Sequence, residues 1–319
     1  LDEARALAGE LLGVAADTVT LQPSSSHGLM HALFGLTGTV VASTAEFASV
    51  TMTLERAAQL SGGDLVPRWI TPEDRFVSVD AVAEALDDDV TALVVSHIDF
   101  RTGYRADLAG LREVLGPDRL LIVDAVQSFG VIDDDYAAAD VVVGHGYKWL
   151  RAARGTGFAS FSALARERIA PVLSGLAGVD GGLPIDERPP PAASARAFVV
   201  SGADQLAVAR LAIALRDVRD AGVGAIDEAI SGRVDVILEI AERHGIPVLT
   251  PRERERRGDQ RHVAEEHAAG AHERRRRRYH PGSHGAGRGA RRHHGRHAAD
   301  ARRRPRHGRR VGLLSAPES

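Results

Sequence analysis

Short apolar runs alternate with longer amphipathic segments between residues 39 and 161. The runs are rich in Val and Ile and mostly continuous, which is typical of strands buried on both faces of a parallel sheet. The segments between them place apolar residues at helical spacing. The pattern predicts an α/β fold in which helices cover both faces of a mainly parallel sheet. We predict strands at 39–42, 65–70, 92–96, 120–123, 140–143 and 157–161, and helices at 49–60, 79–86 and 106–115.

Two further helices are predicted after the Pro-rich connector 184–191. The first covers 205–218, and the second has a regular apolar face that includes Ile226, Ile230 and Ile237. The segment 244–249 ends the second helix and begins a strand, which is the expected entry to a smaller domain. We therefore predict a large domain over residues 1–218 and the start of a small C-terminal domain over 219–257.

The last part of the chain, residues 258–319, has a different composition. It contains 16 arginines, 6 acidic residues and 9 of the 14 histidines, without apolar periodicity. One interpretation is a disordered basic arm that binds nucleic acid, because clustered arginines neutralise phosphates. The other is a reading-frame shift in GC-rich DNA. The break falls where an apolar domain begins, which favours the frameshift. We expect an incomplete small domain, a disordered or frameshifted basic tail, and no nucleic-acid partner.

The overall composition narrows the class of protein. Hydrophobic residues make up 44% of the chain, enough for a sizeable core, and no apolar run approaches the ~18 residues of a membrane helix. No secretory leader precedes the first predicted helix, so we expect a soluble, cytoplasmic protein without a membrane partner. The chain has no cysteine, which excludes disulfides, thiolate metal sites and a cysteine nucleophile. We predict no metal site.

Lys148 is the only lysine, although the chain carries 39 arginines. An arginine cannot lose its proton in a protein, whereas a lysine whose environment lowers its pKa can add to a carbonyl group. Lys148 follows an apolar Val-Val-Val run and a Gly-His-Gly turn, at the end of a predicted buried strand. An isolated surface lysine in an Arg-biased sequence is the alternative. The position favours Schiff-base chemistry.

An imine-forming lysine serves either an aldolase-type reaction or pyridoxal phosphate. The cofactor also needs a carboxylate for its pyridine nitrogen, an anion site for its phosphate and a flat surface against its ring. Asp124 ends a predicted strand, Ser24–Ser26 precede a predicted helix at 27–36, and Phe47 follows another strand. Each residue alone also fits a helix cap or a core position. Their joint occurrence favours pyridoxal phosphate.

Three segments then carry a resemblance to a known family. Residues 96–103 (SHIDFRTG) are similar to the His-Val-Asn-Tyr-Arg-Thr-Gly segment of bacterial kynureninases, with Asp99 and Phe100 as substitutions. Residues 124–128 (DAVQS) resemble an Asp-x-x-His/Gln pattern, and 146–149 (GYKW) resemble a Gly-Tyr-Lys-Tyr motif. The sequence thus resembles the fold-type I pyridoxal-phosphate enzymes of the class V aminotransferase family, which includes cysteine desulfurases and kynureninases.

The resemblance implies a three-layer α/β/α large domain with a seven-stranded sheet, and a homodimer whose active sites lie at the subunit interface. It implies that Lys148 forms the imine and is the catalytic residue. It also implies that Asp124 binds the pyridine nitrogen, that Gln127 approaches the phenolic oxygen, and that Tyr147 contacts the phosphate. The remaining cofactor-binding positions that it implies are Ser25 and Ser26 in the phosphate loop, Phe47 against the ring, and Thr102.

The implied activity is that of an aminotransferase or lyase acting on a small amino acid, in which Lys148 moves a proton at the α carbon. A kynureninase-like carbon–carbon hydrolase is an alternative, motivated by Arg101-Thr102-Gly103. A catalytically impaired remnant with a nucleic-acid-binding tail is another. Desulfurases of the family require a catalytic cysteine, which this chain lacks, and the arginine that the family places in the small domain has no confident counterpart.

Overall fold

A seven-stranded mixed sheet forms the centre of the computed structural model, which describes residues 1–72, 76–180, 186 and 188–248. Its strands are β1 (Val19–Gln22), β2 (Gly38–Ser43), β3 (Leu65–Ile70), β4 (Val90–Ser96), β5 (Leu120–Asp124), β6 (Val141–His145) and β7 (Gly157–Phe161). Their order across the sheet is β1-β7-β6-β5-β4-β2-β3. The five strands from β3 to β6 are parallel, whereas β7 runs antiparallel to both of its neighbours.

Helices cover both faces of the sheet. They are α1 (Asp2–Leu12), α2 (Ser25–Phe34), α3 (Ala48–Ser61), α4 (Val79–Ala83), α5 (Leu108–Leu115), α6 (Ala163–Arg168), α7 (Gln205–Ala221) and α8 (Val223–Arg243). One apolar core joins α1, α5 and α7 to the sheet, and the other joins α2 and α3 to the opposite face. Alternate residues of one strand enter different cores, as Val123 and Ile122 of β5 do. The predicted three-layer α/β/α architecture is confirmed.

The six predicted strands are all present, with ends that differ by two residues or fewer. The sequence pattern missed β1, a strand of four residues that pairs only with β7 at the sheet edge. The helix predicted at 79–86 ends at Ala83. The predicted domain boundary near residue 218 stays a prediction, and the predicted tail, 258–319, lies outside the described residues.

The last described helix differs from the others. Only Ala241 is buried among the 21 residues of α8. The first half of α8 packs against the large α/β part of the chain. Ile226 and Ile230 contact apolar cores there, and Asp227 accepts a hydrogen bond from the Asp133 N–H. Within the described ranges, no helix has both the length and the apolarity needed to cross a membrane.

Candidate active site

The carboxyl ends of β2, β4, β5 and β6 lie at one edge of the sheet, which is where α/β folds bind ligands. A cavity of about 240 Å³ opens at this edge. Both Asp124, the last residue of β5, and Lys148, three residues after β6, line it. The structure therefore brings the two most specific predicted residues to one cavity.

Lys148 lies between two aromatic rings. Its Nζ atom is 5.9 Å from the ring centre of Phe47 and 5.9 Å from that of Tyr147. Partial burial lowers the pKa of its amine below the usual value, and the nearby Asp124 carboxylate opposes this shift. Aromatic faces add little hydration, so a larger share of the amine is neutral than in an exposed lysine. A neutral amine is the form that attacks a carbonyl.

Asp124 is a buried carboxylate at the floor of the cavity. Burial raises its pKa to about 6, while the Val126 N–H, which donates to Oδ1 at 3.0 Å, and Lys148 both oppose the increase. The carboxyl therefore keeps unused acceptor capacity toward the cavity. A carboxylate that is desolvated and incompletely paired stabilises a cationic N–H placed beside it.

The start of α2 forms another wall. Ser24, Ser25 and Ser26 all line the cavity, and the first N–H groups of a helix have no intrahelical acceptor. The Ser24 hydroxyl pairs with the His27 ring at 2.8 Å, so the hydroxyls of Ser25 and Ser26 are the ones available for a ligand. This combination of hydroxyls and N–H groups suits an anion.

Three of the remaining predicted residues line the cavity and one does not. Phe47, Gln127 and Tyr147 contribute to its wall. Phe47 meets Phe100 edge to face, with ring centres 5.0 Å apart. Thr102 is buried outside the lining, where its N–H and hydroxyl both donate to Asp99 Oδ1 at 2.6 Å. The turn after β4 directs the Thr102 hydroxyl to Asp99, and the cofactor contact of Thr102 stays a prediction.

The site geometry agrees with comparisons to known proteins. The family model for aminotransferase class-V matches residues 2–180, more than half of the chain. The chain belongs to the class-V aminotransferase family. The matched region contains the whole sheet and every residue that lines the cavity.

Curated relatives of this chain include two kynureninases. The chain is 29% identical to kynureninase from Deinococcus radiodurans over 198 residues, which cover 59% of this chain and 48% of the relative. It is 24% identical to kynureninase from Pseudomonas fluorescens over 201 residues, covering 60% and 48%. The chain thus spans about half the length of the curated relatives it matches.

Solved structures of low sequence identity share the fold. The apo cysteine desulfurase from Thermococcus onnurineus NA1 has a TM-score of 0.65 at 19% identity, covering 79% of this chain and 64% of that one. A C-DES mutant with glycine covalently linked to its PLP cofactor has a TM-score of 0.67 at 19% identity, covering 75% and 65%. These likenesses confirm the PLP-transferase fold.

Several residues of this class-V site were missed by sequence reasoning. His145 ends β6 and lines the cavity, and its Nδ1 accepts a hydrogen bond from the Tyr147 N–H at 3.2 Å. Burial lowers its pKa to about 4, and the charges of Arg154 and Lys148 add to this decrease. The ring is therefore neutral near pH 7, with its proton on Nε2. Its position, three residues before the lysine, was the available signal.

Glu46 is a second buried carboxyl near the cavity, directly before Phe47. Its Oε1 accepts from the Ser96 N–H at 2.9 Å, and its Oε2 accepts from the Ser96 hydroxyl at 2.5 Å. Burial raises its pKa to about 7; the Ser96 hydrogen bonds oppose the shift, and the charges of Asp124 and Asp99 add to it. Glu46 therefore joins the end of β2 to the end of β4 and fixes the base of the loop that carries Phe47.

A buried network centred on His97 supports the segment from Asp124 to Ser128. The His97 N–H donates to the Asp124 carbonyl at 3.0 Å, and its ring Nδ1 pairs with the Ser128 hydroxyl at 2.8 Å. Its Nε2 lies 3.0 Å from Asp134 Oδ2, which Arg105 also binds at 2.7 Å. His97 has no exposed surface. His97 thus binds both ends of the turn that presents Asp124 and Gln127, with its backbone N–H at Asp124 and its ring at Ser128.

Proposed function

We propose that this chain is a pyridoxal-phosphate-dependent enzyme acting on an amino acid, with Lys148 as the residue that forms the Schiff base. The observation that carries the proposal is that Lys148 and the buried carboxylate of Asp124 line one cavity and interact electrostatically. Membership of the class-V aminotransferase family supports it.

The residues present fit this cofactor. The cavity combines an amine of lowered pKa, a desolvated carboxylate with unused acceptor capacity, an aromatic face and a hydroxyl-rich helix start. A polar ligand with one cationic nitrogen and one anionic group would satisfy all of these. Bound pyridoxal phosphate supplies an electron-withdrawing ring that accepts the electron pair of a carbanion at the substrate α carbon.

Each side chain has a task that its surroundings favour. The neutral amine of Lys148 is the nucleophile toward the aldehyde carbon and, when free, the base that moves a proton at the α carbon. Asp124 holds the proton on the ring nitrogen, and Phe47 covers one face of the ring. Ser25, Ser26 and Tyr147 bind the phosphate, and Gln127 donates toward the phenolic oxygen. Thr102 stays a predicted cofactor contact, and in the structure its hydroxyl donates to Asp99.

The same proposal covers the substrate, the oligomeric state and the cellular location of the protein. The substrate is a small amino acid, the enzyme is a homodimer, and it acts in the cytoplasm. These statements rest on the resemblance of the motifs, since the chain covers about half of each curated relative.

Absorption spectroscopy tests the proposal. Purified full-length protein mixed with pyridoxal phosphate should show a band at the edge of the visible range that disappears on borohydride reduction, leaving a covalent adduct on Lys148. Lys148→Ala should abolish both the band and the adduct. Lys148→Arg is the matched control: it keeps the charge but cannot form the imine, so it should fail in the same way. A stable, folded wild type without the band refutes the proposal.

A kynureninase-like hydrolase is the second candidate. Both curated relatives are kynureninases, and the segment Arg101-Thr102-Gly103 matches their motif. In this chain Phe100 lines the cavity where that motif has Tyr, which removes one phenolic hydroxyl from the wall. Incubation with L-kynurenine and detection of the released anthranilate tests the candidate. Phe100→Tyr restores one of the two substituted positions, Phe100 and Asp99, and should increase any hydrolysis. Transamination without anthranilate release favours the broader proposal.

A further inference from the structure

The loop after Lys148 is fixed by its backbone. The Ala152 N–H donates to Gly146 O at 2.7 Å, and the Gly146 N–H donates to Thr156 O at 3.0 Å. The Arg210 guanidinium of α7 donates to Ala152 O at 3.2 Å and to Arg154 O at 3.4 Å. These bonds hold Arg151 and Ala153 at φ 50° and 66°, a region that side chains rarely adopt. The backbone of Arg154 is therefore held in place.

In the described part of the chain, the Arg154 guanidinium contacts the Tyr147 ring but no carboxylate. Its Cζ lies 5.7 Å from the centre of the Tyr147 ring, and the residue lines the Lys148 cavity. Among the residues that the structure describes, its guanidinium makes no hydrogen bond or ion pair. Most other arginines near the sheet bind carboxylates or carbonyls, as Arg112 binds Asp140 at 2.8 Å. A guanidinium at a cavity wall that pairs with no carboxylate attracts an anion.

The position of the loop indicates which anion. Gly157, three residues after Arg154, packs on the backbone of Ser24, since a Cβ at Gly157 would lie 2.6 Å from the Ser24 Cα. The loop thus lies beside the serine turn that begins α2, and Tyr147 lines the cavity between them. We propose that Arg154 is a further anchor for the phosphate monoester of the cofactor, donating to oxygens that the Ser25–Ser26 turn leaves unpaired. This inference rests on the proposed function.

A comparison of two aldehydes tests the role of Arg154. Pyridoxal phosphate and pyridoxal, which lacks the phosphate, are titrated into the full-length protein and followed by the absorbance of the bound aldehyde. Arg154→Gln should weaken the binding of pyridoxal phosphate roughly ten- to hundredfold and leave that of pyridoxal unchanged. Arg154→Lys should retain part of the affinity, because it keeps a cation.

The control is Arg151→Gln, which removes one charge from the same loop at a residue outside the cavity lining. It should change neither affinity by more than about twofold, an allowance for screened surface charge. Equal losses for both aldehydes in Arg154→Gln would indicate damage to the loop and overturn the proposal.

A second titration separates the phosphate from a substrate carboxylate. L-alanine and ethylamine, which lacks the carboxylate, are added to the loaded protein. If Arg154→Gln leaves the binding of pyridoxal phosphate intact but weakens only the response to L-alanine, Arg154 binds the substrate and the phosphate assignment is wrong. If wild type binds neither aldehyde, the proposed function itself fails; if only the Arg154 effect is absent, the proposed function stands.

Discussion

The cavity edge of the sheet and the helix α8 differ in how far their apolar residues are buried. All five residues of β5 are buried, and its last residue lines the cavity. In α8, Val236 and Ile237 are 53% and 62% exposed, although the helix has a regular apolar face. Apolar residues of β5 thus find partners within the described chain, whereas Val236 and Ile237 of α8 stay largely exposed.

Because of this difference, we expect the proposed cofactor site to depend little on the C-terminal part of the chain. Every cavity-lining residue lies between Ser24 and Arg154, on elements whose apolar residues are packed. The cofactor site can therefore form without α8. Recognition of an amino-acid substrate by groups beyond the described residues would need the part of the chain that follows α8. We therefore expect cofactor binding and turnover to be separable.

The largest expected effect of breaking the cavity edge comes from His97→Ala. The change removes the two ring hydrogen bonds to Ser128 and Asp134 and leaves a cavity in a fully buried site, so the free energy of unfolding should fall by roughly 2–4 kcal/mol. The turn that carries Asp124 should also loosen and weaken the binding of pyridoxal phosphate. Urea unfolding and cofactor titration measure the two effects.

His31→Ala is the matched control for that change. His31 is equally buried in α2, but its Nδ1 has no hydrogen-bond partner in the structure. Its removal should reduce stability through lost packing without altering cofactor affinity beyond what unfolding explains. If both variants affect the cofactor equally, the His97 network does not position Asp124.

The separation along the sequence between interacting residues decides which parts of the fold and of the site could be predicted. The apolar pattern predicted the central strands because burial on both faces makes each of them a nearly continuous apolar run. It missed β1, since four residues carry too little pattern and the strand depends on β7, about 140 positions away. The motifs predicted Lys148 and Asp124 because each follows a buried strand.

The missed residues depend on contacts distant in sequence. Glu46 meets Ser96 across 50 positions, and His97 meets Asp134 across 37. Neither partnership leaves a local pattern that a single sequence reveals. Arg154 was one arginine among 39, and only its place in the cavity wall distinguishes it. Local sequence patterns thus identify the residues at the ends of strands. The residues that position them and shift their pKa values can be identified only from the tertiary structure.

A smaller, pH-dependent effect is expected for Glu46→Gln. Because the pKa of Glu46 is raised to about 7, the folded protein keeps the proton that the unfolded chain loses near the ordinary pKa of 4.5. The stabilising effect of the protonated form is complete below pH ~4.5 and disappears as the pH rises through ~7. Gln is neutral and can keep both contacts to Ser96. The variant should therefore be roughly 2–3 kcal/mol more stable than wild type at pH 8 and about equal at pH 4.

Urea unfolding at both pH values checks this prediction, with Glu84→Gln as a control on an exposed carboxylate. The control should show no such pH-dependent gain. A stability difference that is the same at pH 4 and pH 8 would mean that Glu46 does not titrate in this range, and that its role at the cavity edge is packing alone.

The smallest effect on stability is expected for Ile237→Ala, which tests whether the exposed apolar face of α8 is packed. Ile237 is 62% exposed, so its truncation should change the free energy of unfolding by less than about 0.5 kcal/mol. Leu211→Ala on α7 is the matched control, because Leu211 is 1% exposed and its truncation should cost roughly 2–5 kcal/mol. Both values come from urea unfolding at one protein concentration. If Ile237→Ala costs as much as Leu211→Ala, the exposed face of α8 is packed in solution against groups beyond the described residues. In that case α8 would be packed as β5 is, and the two regions would differ only in that the partner of α8 lies outside the described residues.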